Sequence, residues 1–174
     1  PFIGLFFYKI HGLDSDQFAI LSAFATAIVF GEVLFVPIIK EKLGYKRAIP
    51  ITQIIAIAAL IVLAFTEIID TWFALYLAMA MYLIRQPLMN MAGPMTSDLV
   101  MKYVGEKNRE IMSALTAAVW SGSWFISSKI FQVLRQIGLQ YVYVFLITAG
   151  LYLFGVFMYY LLILDYEKKI KQSA

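Results

Sequence analysis

Apolar residues fall in five long blocks: residues 18–39, 48–66, 72–92, 111–134 and 141–164. A helix that crosses a bilayer needs about 20 mostly apolar residues, and each block has about that length. Charged or turn residues bound every block. The pattern predicts five membrane-spanning helices, with Trp72 and Tyr141 at span ends where amphipathic rings favour the headgroup layer. Strands of a membrane barrel alternate apolar and polar positions, and these blocks do not. A shorter apolar, aromatic piece, residues 1–8, precedes a polar loop over residues 9–17. Eight helical residues cover only about 12 Å, so this piece reads as a partial span. No basic stretch precedes it and no small-residue cleavage pattern follows, so it does not read as a signal peptide. Two readings stay open: the chain is the C-terminal part of a longer polypeptide, or a complete five-span protein with a short interfacial lead.

Composition agrees with the pattern. Apolar residues make up 62% of the 174 positions and charged residues 14%, against about 25% charged in an ordinary soluble domain. Too few polar residues remain to cover a water-facing surface. A soluble enzyme, a secreted disulfide scaffold and a disordered regulator are excluded. The chain has no Cys and one His, His11. A thiolate metal site, a thiol nucleophile and a haem held by two His ligands of this chain are therefore excluded. No paired-Asp or His-rich motif suggests an enzyme, and neither a cofactor nor a metal is expected.

The basic residues set an orientation. Lys40, Lys42, Lys46, Arg47, Lys102, Lys107, Arg109, Lys168, Lys169 and Lys171 fall on one side of the alternating spans. Only Lys9 and Arg135 fall on the other. Basic loops stay inside, so the C-terminus is expected to be cytoplasmic. These charges sit in short loops and a tail, so no nucleic-acid partner is expected.

Polar residues inside the blocks are the candidates for function, because lipid-facing helices need none. Gln86, Asn90, Gly93 and Ser97 lie on one helical face, with Arg85 beside them and Pro87 and Pro94 interrupting the helix. They line a water-filled cavity or tie neighbouring helices together. Arg85 needs an anionic partner in either case. Glu32 stands alone in its block and suits reversible protonation, or a hydrogen bond to a neighbouring helix. Lys129 is open to both a functional and an interfacial reading. Trp120 and Trp124, four positions apart, stack on a ring-shaped solute or pack the bundle. Ala23, Ala27 and Gly31, and likewise Ala114, Ala118 and Gly122, form small-residue ladders that allow close helix packing.

One loop is more specific. Pro37-Ile38-Ile39-Lys40-Glu41-Lys42-Leu43-Gly44-Tyr45-Lys46-Arg47 resembles the G-x-x-x-D-R-x-G-R-R loop of the major facilitator superfamily of secondary transporters. Glu41 stands for the acid, Lys42 for the base after it, Gly44 for the glycine and Lys46 for the last base. Pro37 replaces the first glycine and Tyr45 an arginine, departures similar to the copy between the family's eighth and ninth helices. The segment from Arg85-Gln86-Pro87 to Pro94, followed by Glu106-Lys107-Asn108-Arg109, looks like the tenth helix and its loop. Gly31-Glu32 followed by Pro37 is similar to the eighth helix of nucleoside–proton symporters.

The resemblance implies an all-α membrane protein: a polytopic helix bundle forming the C-terminal six-helix half, with five complete spans and a partial first one. It implies transport by alternating access, with the solute near the midplane and an N-terminal six-helix half, in the same or a separate chain, as the other wall. The expected partners are a small-molecule solute, protons and membrane lipid, in a bacterial cytoplasmic membrane. Arg85, Gln86, Asn90, Trp120 and Trp124 are then the cavity candidates and Glu32 the proton-coupling acid. Glu41, Lys42, Gly44, Lys46 and Arg109 form a cytoplasmic gating loop in which Glu41 pairs with Arg109. The competing reading is a transporter-like structural or assembly subunit of a membrane complex, in which the same polar residues only join helices.

Overall fold

The computed structural model describes residues 2–173, with Pro1, Ala174 and the side chains of Val33, Lys171, Gln172 and Ser173 outside the described residues. Every regular element among them is helical: α1 (Phe2–His11), α2 (Ser15–Val33), α3 (Val36–Phe65), α4 (Phe73–Val104), α5 (Arg109–Gln136) and α6 (Tyr141–Ser173). A single 3₁₀ turn, Glu106–Asn108, joins α4 to α5. Val36–Phe65 and Tyr141–Ile170 are long and apolar enough to cross a membrane by length and composition. Polar residues dilute the others, among them Asp16, Gln17 and Glu32 in α2 and Arg85, Gln86 and Asn90 in α4.

The block at residues 18–39 is not one helix. Pro37 has no N–H and cannot continue the α-helical ladder. Just before it the backbone tightens to 3₁₀ bonding, with Leu34 N–H on the Gly31 carbonyl at 3.3 Å and Phe35 N–H on the Glu32 carbonyl at 2.8 Å. A second break lies inside α3, where Gly44 takes φ +66° and ψ 169°. That conformation is costly for any residue with a Cβ. The short helical piece at residues 36–43 is thereby turned away from the apolar length of α3.

α3 packs on α4 and α6, and α2 on α4. One core cluster gathers Phe6 and Phe7 of α1, Leu21 and Ala25 of α2, Leu60 and Leu63 of α3 and Tyr141 and Phe145 of α6. A second joins Val36 and Ile49 to Met91, Met95 and Leu99 of α4 and Ile163 of α6. α5 is different: it buries Phe131, while nearly all of residues 109–130 is exposed. Helix turns alternate between two ends of the bundle. At one, Glu67 accepts from the N–H groups of Tyr141 (3.2 Å) and Val142 (2.5 Å), capping α6, and His11 Nε2 bonds Thr66 Oγ1 at 3.1 Å. The other, basic end is held by side chains described below.

Candidate functional site: a central cavity and a charged end

Two buried side-chain polar atoms lack a hydrogen-bond partner among the described residues: Arg85 Nε and Glu32 Oε2. Native proteins satisfy nearly all such groups, so each exception calls for a physical reason. Arg85 is 8% exposed. A charge at the centre of a bilayer costs about 2.5–3.5 kcal/mol even on the lenient insertion scale. Tyr152 of α6, which hydrogen-bonds its side chain, and Tyr82 of its own helix are its polar neighbours.

Arg85 lines a cavity of about 430 Å³. Gln86 and Asn90 line the same cavity from α4, Trp120 and Trp124 from α5, and Thr148 and Tyr152 from α6. The structure thus brings five expected site residues, from two helices, into the lining of one cavity. Gln86 is half-buried and Asn90 exposed, and Asn90 Nδ2 donates to the Gln86 carbonyl at 2.7 Å. The two indoles meet edge to face at 6.4 Å. Gly4 allows α1 close to α2: a Cβ there would come within 2.9 Å of the Phe18 ring, which also borders the cavity.

Glu32 is not among the cavity-lining residues. It lies two residues before the Leu34–Phe35 break, half-buried, with one carboxylate oxygen enclosed. Lys129 is exposed on α5.

At the basic end, Asp98 of α4 accepts hydrogen bonds from Lys40 Nζ and Tyr45 Oη, and Lys102 Nζ lies 3.5 Å away. Lys102 Nζ also donates to Tyr45 Oη at 3.1 Å. Burial disfavours ionisation of this carboxyl, but the bonds from Lys40 and Tyr45 and the Lys102 charge outweigh it and hold its pKa at about 2. Lys40 is pushed up by its bonds to Asp98 and Tyr45. Lys46 pairs with Glu167 at 3.3 Å, and Tyr103 Oη donates to Asp165 at 2.6 Å, so the end of α6 is tied down as well.

The expected Glu41–Arg109 pair does not form. Arg109 faces Glu106 at 3.9 Å, and Glu41 and Lys42 are exposed with no ion pair among the described residues. The loop is latched to α4 through Lys40 and Tyr45 instead. Asp98 was not among the sequence candidates, although its i, i+4 spacing to Lys102 on a helix end was a readable signal.

The family model for the Major Facilitator Superfamily matches residues 1–128. No curated protein and no solved structure matches the chain.

Proposed function

The chain belongs to the Major Facilitator Superfamily and is a membrane protein of a family that transports small solutes, and on that premise we propose that it moves its solute by proton-coupled alternating access. In this reading residues 18–39, 48–66, 72–92, 111–134 and 141–164 are five complete spans and residues 1–8 part of another. They form the C-terminal six-helix half, with the C-terminus on the cytoplasmic side of a bacterial membrane. The exposed length of α5 is then the seam toward the N-terminal half, and the outward side of α6 meets lipid.

The observation that carries the proposal is the cavity itself. Arg85, Gln86, Asn90, Trp120 and Trp124 line one cavity, near mid-length of their helices. A purely structural subunit needs polar residues that bond one helix to another. Here Asn90 bonds within its own helix, and Arg85, although its side chain meets Tyr152 of α6, keeps Nε without a partner among the described residues. Glu32 is the coupling acid in this reading, acting beside the α2–α3 break rather than by touching the solute.

The test uses the absence of Cys in this chain. Gln86→Cys and Asn90→Cys, in full-length protein otherwise lacking Cys, are expected to react with a small polar thiol reagent, and a transported solute is expected to slow that reaction. Failure of both positions to react in inward- and outward-open states refutes the cavity assignment.

A further inference from the structure

We infer that the solute carries an oxyanion, a carboxylate or a phosphate, and that it reaches Arg85 from a cationic vestibule past a two-ring partition. The inference rests on the transport reading and adds the substrate class. A second cavity, about 580 Å³, lies between α1, α5 and the start of α6. Lys9 and Arg135 line it, with Ser128, Gln132 and Gln136. Arg135 is held in place: its guanidinium sits 3.9 Å from the Tyr141 ring centroid and donates to the Leu139 carbonyl at 2.5 Å. The two cavities share Phe2 and Phe131. Those rings stack with centroids 3.8 Å apart and planes 18° from parallel.

The charge pattern along this path has one sign. Lys9, Arg135 and Arg85 line the two cavities, and among the described residues no Asp or Glu lines either. Low-dielectric walls with charge of one sign focus the field and raise the local concentration of the opposite ion. A cationic solute meets three cations and no acid. A neutral solute leaves Arg85 desolvated without a counter-charge. An oxyanion does what the site lacks. Arginine grips such groups side-on through Nε–H and one Nη–H, and Nε is the atom without a partner. Gln86, Asn90 and Tyr152 surround the same space and can donate to the remaining oxygens.

The test is binding by full-length protein of a set matched on one ring: benzoate, phenyl phosphate, benzyl alcohol and benzylamine. A second set on a sugar scaffold is gluconate, glucose 6-phosphate, glucose and glucosamine. Calorimetry is expected to show at least one anion binding, with its neutral and cationic counterparts at least about 10-fold weaker. The preferred headgroup separates carboxylate from phosphate. Arg85→Gln is expected to weaken the anion about 10- to 150-fold, the range for a lost bond to a charged group, and Arg85→Lys to weaken it less. Joint Lys9→Gln and Arg135→Gln is expected to slow association and blunt its salt dependence, because the charges act on encounter.

Equal or tighter binding of the neutral or cationic members overturns the inference, as does failure of every anion to bind. So does unchanged anion affinity in Arg85→Gln. A large stability loss in ligand-free Arg85→Gln, restored by neutralising an acid elsewhere in the protein, also overturns it, because Arg85 then serves an internal pair. Proteoliposome exchange separates the two levels of the argument. Exchange of a neutral solute keeps the transport reading and removes the anion. Anion binding with no exchange keeps the site and removes transport.

Discussion

Replacing Asp98 by Asn tests the latch at the basic end. The amide keeps the shape and removes the charge that Lys40, Tyr45 and Lys102 converge on. A carboxyl held at about 2 instead of its usual 3.8 corresponds to about 2.5 kcal/mol before screening, at about 1.4 kcal/mol for each tenfold change. The side chain is 36% exposed, and exposed pairs retain a fraction of such values, so the expected cost is about 1 kcal/mol. The sign follows from linkage. A folded-state pKa below the unfolded one gives stability that is present above the unfolded value and lost as pH falls through the folded value. For Asp98 that loss lies between about pH 4 and pH 2. The cost of Asp98→Asn is therefore expected to be flat from pH 5 to pH 8.

The assay is a double-mutant cycle with Lys40→Gln, read by thermal unfolding of full-length protein in detergent at several pH values. A coupling energy of about 1 kcal/mol is expected, because the two groups share one hydrogen bond. A coupling below about 0.3 kcal/mol, the usual scatter for independent sites, refutes the latch. A cost that rises steeply between pH 5 and pH 7 would show that the carboxyl titrates there, and would refute the assigned environment.

Two further outcomes are expected. Glu32→Gln should abolish uptake driven by a pH gradient while solute exchange persists, since the amide keeps the volume and loses the titrating proton; full pH-driven uptake by the variant ends the coupling role. Gly44→Ala should lower stability by about 1–2 kcal/mol, although no heavy atom within 4 Å meets the added Cβ; the cost is in the backbone at φ +66°, and an unchanged melting temperature contradicts it.

The residues of α4 were the easiest to read. Arg85, Gln86 and Asn90 occupy one helix, so the helical period alone places them together. Grouping them with Trp120 and Trp124 took the family resemblance, because the angle between α4 and α5 depends on packing that spacing does not encode. The same limit explains the Glu41–Arg109 expectation. Both residues belong to basic-end loops, and a loop motif says nothing of which neighbour a side chain meets. Asp98 bonds partners 53 and 58 positions away in the chain, which only the packed structure reveals. Hydropathy located the block at residues 18–39 but not its break at Leu34–Phe35, since apolar residues run straight through the point where Pro37 interrupts the ladder.

One helix carries both ends of the functional problem. Arg85 and Asp98 are thirteen residues apart on α4, about 20 Å of helical rise, with Pro87 and Pro94 between them. Each proline deletes a backbone hydrogen bond, so bending is easiest in this stretch. Beyond Pro94, Met95 and Leu99 are fully packed against α3 and α6, and Asp98 is tied to the loop that begins α3. On the other side of Pro87, Tyr82 bonds Ser22 of α2 at 3.3 Å. Both halves of α4 also pack on α3 and α6, through Ala78 and Tyr82 on one side and Met95 and Leu99 on the other, and the cavity residues Gln86 and Asn90 lie in the segment between. A shift of the basic-end latch relative to the Ser22 contact is expected to be absorbed where the helix is weakest, beside Gln86 and Asn90. The ion-pair cluster and the cavity are thus joined by one helix, and its two prolines lie beside the polar residues that line the cavity.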